Sequence, residues 1–435
     1  MKIQRDYYLN KLISRKDNGL VKIITGIRRC GKSYLLFELY DEYLRTNGVA
    51  EDHILKLSLD DVTNARYRNP MELDKYVRDF ITDKNTNYYI FLDEIQFVKD
   101  IDNPWLPGSG EKIGFVDIVL GLMKIANADI YITGSNSRML SSDIVTQFRD
   151  KGDIIQVYPF SYSEFCRAYG GDLENAWREY YTYGGMPRVL ALPDRKSKIE
   201  YLTNLFESTY LKDVLERYEI KAEKSVLDTL IRLIASSVGS LSNPKKISDT
   251  FKSSASLAIS SVTIDKYLDC FIDSFLISKV HRYDVKGRKY IGTPMKYYFT
   301  DIGIRNALLE FRQQEENHIM ENILYNELCI RGYSVDVGIV EYRHKTDEGK
   351  EVRTQLEVDF IAKSGGTQIY VQSAFHADTP EKRQQEINSL IKIPDSFKKI
   401  VVVREPIVPW TDENGICYVG IREFLCGSYP EVEFV

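Results

Sequence analysis

Over residues 1–160 short apolar runs alternate with amphipathic stretches, the pattern of a parallel sheet whose strands are joined by crossover helices. Residues 21–25, 54–59, 88–93, 129–133 and 154–157 read as strands, and segments near 32–44, 71–81 and 115–126 as helices. Residues 99–114, with two prolines and three glycines, read as a loop insertion. From 162 to about 220 the spacing turns helical, broken at Gly184-Gly185-Met186-Pro187. Residues 221–300 suggest short helices, among them 244–251 and 264–275, and then a hairpin turning at Lys286-Gly287. After Ile302 a second α/β pattern begins, with a helix around 319–331 and strands near 356–362, 368–373 and 399–403. The expected division is therefore 1–160, 161–220, 221–300 and 301–435.

Composition narrows this picture only a little. With 43% apolar and 28% charged residues the chain has the balance of a globular protein, and 435 residues exceed one core. No apolar run is long enough to cross a bilayer, because the richest, Tyr88 to Leu92, stops at two carboxylates. The start, Met1-Lys2-Ile3-Gln4-Arg5-Asp6, lacks the apolar core of a signal peptide. The six cysteines lie far apart without a C-x-x-C pair and read as reduced thiols. A cytoplasmic protein with no membrane partner is expected.

Candidate chemistry changes the picture much more. Gly26-Ile27-Arg28-Arg29-Cys30-Gly31-Lys32-Ser33 fits G-x-x-x-x-G-K-[ST] in full, after an apolar strand and before a helical pattern that opens at Tyr34. The glycines let the loop backbone aim its N–H groups at phosphates, and the helix points its N-terminus at the same anion. Gly26, Arg28, Arg29, Gly31, Lys32, Ser33 and Tyr34 form the expected nucleotide cradle, with Lys32 reaching the β- and γ-phosphates and Ser33 ligating Mg²⁺. Tyr88-Tyr89-Ile90-Phe91-Leu92-Asp93-Glu94 is an apolar strand ending in two acids, which need a partner if buried. Magnesium supplies one: Asp93 would hold the ion, and Glu94 would orient and activate water. Ser135 or Asn136, at a third strand end, is the candidate γ-phosphate sensor. The expected ligands are ATP or ADP with Mg²⁺.

These motifs, with Pro159-Phe160-Ser161-Tyr162-Ser163-Glu164-Phe165, Tyr183-Gly184-Gly185-Met186-Pro187 and Thr209-Tyr210-Leu211-Lys212-Asp213, resemble AAA-type P-loop ATPases of bacteria and archaea over nearly the whole chain. The resemblance implies an ATP-hydrolysing parallel sheet with a helical lid and a C-terminal domain of uncharacterised function. It also implies an arginine just before the last strand, where Arg149 stands after Phe148 in place of the family's usual glycine. Arg149 is then either a finger acting in trans on a neighbour in an oligomer, or a surface arginine. Arg188 is a further phosphate candidate.

Residues 221–300 carry thirteen Lys or Arg against seven Asp or Glu in a chain of net charge −5, an asymmetry typical of a nucleic-acid surface. Helices followed by a charged hairpin suit a winged helix, with Lys266 and Tyr267 facing outward. Arg282, Lys286, Arg288 and Lys289 would then line a wing, so residues 282–289 are the candidate duplex-DNA contact. The segment from His318 to Phe375 resembles the restriction-endonuclease-like fold, with Glu321 and Glu327 on its helix, Asp359 at the acid place and Gln372 at the Glu/Gln place; Asp359 with Glu357 or Glu321 could still gather one Mg²⁺. Its lysine place holds Ala374, which argues for an inactive domain, with Lys363 the nearest substitute. The fold expected is α/β: an AAA-type sheet with a lid, a winged helix, and a degenerate nuclease-like α/β domain. A nucleotide-driven switch follows; the alternatives are an active nuclease or a slow-turnover, ATP-gated scaffold.

Overall fold

A computed structural model describes residues 3–135, 148, 151–217, 224–254, 259–313, 315–345, 351–375 and 380–427. The chain divides into two compact units, Met1–Pro159 with Asp273–Phe275, and Phe160–Ile272 with Leu276–Val435.

In the first unit β1 (Val21–Thr25), β2 (Ile54–Ser58), β3 (Tyr88–Asp93), β6 (Ala128–Gly134) and β7 (Gly152–Gln156) form a sheet in the order β2-β3-β6-β1-β7, with every pairing parallel. All residues of β1 and β3 are buried, as a sheet covered on both faces requires, which is why these strands read as unbroken apolar runs. Ile23, Ile90, Leu92 and Ile132 share a core with Leu73 and Val77 of the helix Pro70–Phe80 and with Val119 and Leu122 of the helix Phe115–Leu122. Each such side chain contributes about 1.5–3 kcal/mol of burial. The first of these helices starts cleanly, because the Asn69 side chain accepts from the Met71 N–H and proline follows it. Within the insertion, β4 (Ile101–Asp102) and β5 (Lys112–Ile113) form a small hairpin. Register sets strand ends side by side: Thr25 lies opposite Gly134, Ser58 opposite Asp93, and Leu92 opposite Ile132.

The second unit begins with helices, including Tyr162–Tyr169 and Leu173–Tyr183. The first has a capping box in which Ser161 and Glu164 satisfy each other's N–H groups. The Gly-Gly break after the second is a docking seat. The Gly185 N–H donates to Asp301 at 2.7 Å, and a Cβ on Gly184 would stand 2.3 Å from the same carboxylate. A Cβ on Gly185 would stand 2.2 Å from the Phe160 carbonyl oxygen. Asn306 closes the helix end by donating to the carbonyls of Tyr181 and Thr182, both at 2.9 Å.

An eight-stranded sheet dominates this unit. Its strands are β8 (Ile277–Asp284), β9 (Lys289–Phe299), β10 (Ser334–Lys345), β11 (Glu351–Ser364), β12 (Thr367–Ala374), β13 (Lys398–Val403), β14 (Trp410–Thr411) and β15 (Ile416–Gly420), in the order β14-β15-β13-β12-β11-β10-β8-β9. The hairpin expected as a wing is one end of this sheet, since β8 pairs in parallel with β10, placing Arg282 opposite Val337. The division expected at residue 300 therefore runs through one sheet. Among the described residues no helix is long and apolar enough to cross a membrane.

Candidate functional site

Beyond β1 the chain turns through Gly26 (φ 141°) and Gly31 (φ 103°), in the left-handed region that side chains disfavour. Gly26 is required for a second reason: a Cβ there would lie 2.0 Å from the Val157 carbonyl oxygen. The buried Cys30 Sγ donates to the same carbonyl at 3.3 Å, and burial pushes its thiol pKa up. Arg5 completes the anchorage from the chain just before the helix Asp6–Ser14. Its Nη1 donates to the Cys30 carbonyl at 2.9 Å and its Nη2 to the Tyr158 carbonyl at 2.8 Å, while the guanidinium lies over the Tyr8 ring. Sequence reasoning missed Arg5 because its partners are main-chain atoms 25 and 153 residues away.

Lys32 opens the helical run Lys32–Tyr34, which continues through the π-helical Leu35–Tyr40. Its buried ammonium donates to the carbonyls of Gly26 (3.0 Å) and Ile27 (3.2 Å). Ser33 Oγ, one residue on, lies 2.9 and 2.8 Å from the two carboxylate oxygens of Asp93, to which it donates. Ser58 Oγ donates to Asp93 at 3.3 Å, and Thr133 Oγ1 donates to it as well. Burial pushes the Asp93 pKa up, and the Thr133 and Ser33 hydroxyls partly offset this. Thr133 Oγ1 also accepts the Glu94 N–H at 3.0 Å. Glu94 sits at φ 54°, an uncommon conformation for a residue with a side chain and one that gathers at functional sites. Its carboxylate accepts from Gln96 Nε2 and from Ser135 Oγ, the latter at 3.3 Å. Arg28 is half-buried, Arg29 is exposed, and the Tyr34 hydroxyl accepts the Ile3 N–H at 3.2 Å. Asn136 and Arg149 lie outside the described residues. Four parallel elements thus bring a loop lysine, the three hydroxyls of Ser33, Ser58 and Thr133, and two carboxylates to one end of the sheet, a hard-oxygen set suited to magnesium.

The model of the AAA domain matches residues 18–166, and that of a domain of unknown function matches residues 174–315. An uncharacterized protein of Haemophilus influenzae is 34% identical over 428 residues, covering 97% of this chain and 98% of the relative. Residues 18–166 of this chain are an AAA domain. An uncharacterized protein of Methanocaldococcus jannaschii, MJ1544, is 25% identical over 431 residues, covering 95% of this chain and 86% of the relative. Among solved structures, the Walker-type ATPase PABY2304 of Pyrococcus abyssi matches 71% of this chain and 96% of its own at 16% identity and a TM-score of 0.49.

The other candidate residues are placed as follows. Lys286, Arg288 and Lys289 are exposed at the hairpin tip and Lys266 is exposed on its helix, while Tyr267 is half-buried. Arg282 is not on that surface. It is 8% exposed, and its Nη2 lies 3.4 Å from Gln355 Oε1. Arg188 lies over the Tyr201 ring. In the eight-stranded sheet Asp359 accepts the Ser373 N–H at 2.8 Å, Gln372 Oε1 accepts the Asp359 N–H at 3.3 Å, and Ala374 is fully buried. Lys363 is engaged elsewhere, pairing with Asp336 and lying over the Tyr283 ring. A different lysine, Lys296 of β9, places its ammonium 2.8 Å from Glu321, 2.7 Å from Glu357 and 3.8 Å from Asp359. Burial, then the neighbouring Glu321, push the Asp359 pKa up to about 8.

Proposed function

We propose that this AAA ATPase binds ATP with Mg²⁺ at the loop Gly26 to Ser33 and hydrolyses it to ADP and phosphate, using the cycle as a conformational switch. The observation that carries this reading is the convergence of Ser33, Ser58 and Thr133 hydroxyls on the buried Asp93 carboxylate, beside the Lys32 loop. Ser33 and Asp93 would hold Mg²⁺, which when bound neutralises charge on the transferring phosphoryl group. The N–H groups of the loop, with Arg28 and Arg29, would bind the phosphates, and Lys32 would exchange the Gly26 and Ile27 carbonyls for phosphate oxygens. Glu94, oriented by Gln96 and Ser135, would position a water and accept its proton as the oxygen attacks the γ-phosphorus.

A paired experiment tests the reading. Lys32→Ala should abolish ATP binding by calorimetry, and unchanged affinity refutes the site. Glu94→Gln should keep ATP binding while phosphate release falls by roughly 10²-fold; turnover at the parent rate removes Glu94 from its role. For the second unit we propose duplex-DNA contact through the exposed Lys286, Arg288 and Lys289, and a nuclease-like domain kept for binding rather than cleavage, supported by the buried Ala374 at the lysine place.

A further inference from the structure

Lys296, Glu321, Glu357 and Asp359 come from three strands or helices of the second unit and are joined in one cluster. The Lys296 side chain is only 4% exposed, against 11% for Glu321 and 12% for Asp359. Glu321 also accepts from the Tyr298 hydroxyl at 2.6 Å, and Gly239 leaves room beside it, since a Cβ there would stand 3.0 Å from Glu321 Oε2. An ammonium so enclosed is stable only when carboxylates compensate its lost hydration, and Glu321 and Glu357 stand close enough to do so.

The geometry points to a self-occupied cation site: the Lys296 ammonium takes the place of a divalent metal ion among Glu321, Glu357 and Asp359, and so keeps this pocket closed to metal in the native chain. The distances support the assignment. Around the nitrogen the Glu357 and Glu321 oxygens stand at 2.7 and 2.8 Å, hydrogen-bond distances for an ammonium, and the Asp359 oxygen stands at 3.8 Å, an ion-pair distance. Calcium draws oxygens to about 2.3–2.6 Å and magnesium to about 2.0–2.1 Å. Neither the ATP reading nor the DNA reading enters this inference.

The test is Mn²⁺ binding to the nucleotide-free full chain, followed by electron paramagnetic resonance and by thermal melting. Native protein should show no Mn²⁺ binding that depends on Asp359, so native and Asp359→Asn should give the same titration. Lys296→Ala vacates the site and should gain one Mn²⁺ site at least tenfold tighter than any in the native chain. Mn²⁺ should also raise the melting temperature of that variant, and Lys296→Ala/Asp359→Asn should lose both effects. Lys296→Ala/Glu357→Gln, with the charge count restored, serves if the single variant does not fold. Folded variants that take up no more Mn²⁺ than native protein, or a native site lost in Asp359→Asn, overturn the inference.

Discussion

Arg5→Met isolates the anchorage of the phosphate loop. Methionine keeps an unbranched stem of similar length against Tyr8 but removes both donors. The Cys30 and Tyr158 carbonyls, at 2.9 and 2.8 Å, lose charge-assisted hydrogen bonds worth about 1.5–3 kcal/mol each. The Pro159 carbonyl, at 3.4 Å, counts for little. Relief of the buried guanidinium's own desolvation offsets part of the loss, so a net destabilisation of about 3 kcal/mol is expected. Function should suffer separately. Cys30 immediately precedes Gly31, whose left-handed turn shapes the loop, so loosening the Cys30 carbonyl lowers the fraction of loops ready for phosphate. If that fraction falls to about one in ten, the apparent Kd for ATP rises about tenfold. Urea unfolding and titration of a fluorescent ATP analogue measure the two effects independently. Unchanged stability and affinity would refute the anchorage, and lost stability with unchanged affinity would reduce Arg5 to a staple for the N-terminal helix.

Three further outcomes are expected. Thr133→Val keeps the shape but removes both the donor to Asp93 and the acceptor for the Glu94 N–H; phosphate release should drop at least about tenfold while ATP affinity changes by less than about threefold, and an unchanged rate sinks the relay. Burial raises the Asp301 pKa to about 6 although four N–H groups draw it down, so the folded state holds this proton more firmly than the unfolded chain. That contribution, about 3 kcal/mol, is present below about pH 4 and is lost as pH rises to about 6. Asp301→Asn should remove this part of the stability–pH slope in urea melts from pH 4 to 7, and an identical slope in the variant disproves it. Neutralising Lys286, Arg288 and Lys289 together should flatten the salt dependence of duplex-DNA binding by about one unit per lost phosphate contact; a native chain without salt-dependent DNA affinity ends that reading.

Much of the first unit was legible because burial on both faces leaves an unbroken apolar signature. An acid ending such a run, as Asp93 does, is conspicuous for the same reason. What was not legible depends on partners distant in the chain. Thr133 reads as one more β-branched strand residue until β6 is set beside β3. Lys296 reads as a routine charge in a basic hairpin until β9 is brought beside the helix Glu316–Ile330. Arg282 looked like a wing residue because charge density says nothing about which side chains of β8 are buried. β10 escaped notice for a local reason, the glycine inside it, and β15 was not read from the sequence although it is no shorter than β1.

The parallel pairing of β8 with β10 carries a consequence for the birth of the chain. Val337 to Ile339 lie more than fifty residues beyond the strand they complete, so the hairpin leaves the ribosome well before its neighbour exists. Until then β8 offers an unpaired row of amides and carbonyls, the feature that recruits foreign strands. A chain split at residue 300 would make that interval permanent: each piece would hold part of one sheet, and Lys296 would be parted from all three of its carboxylates.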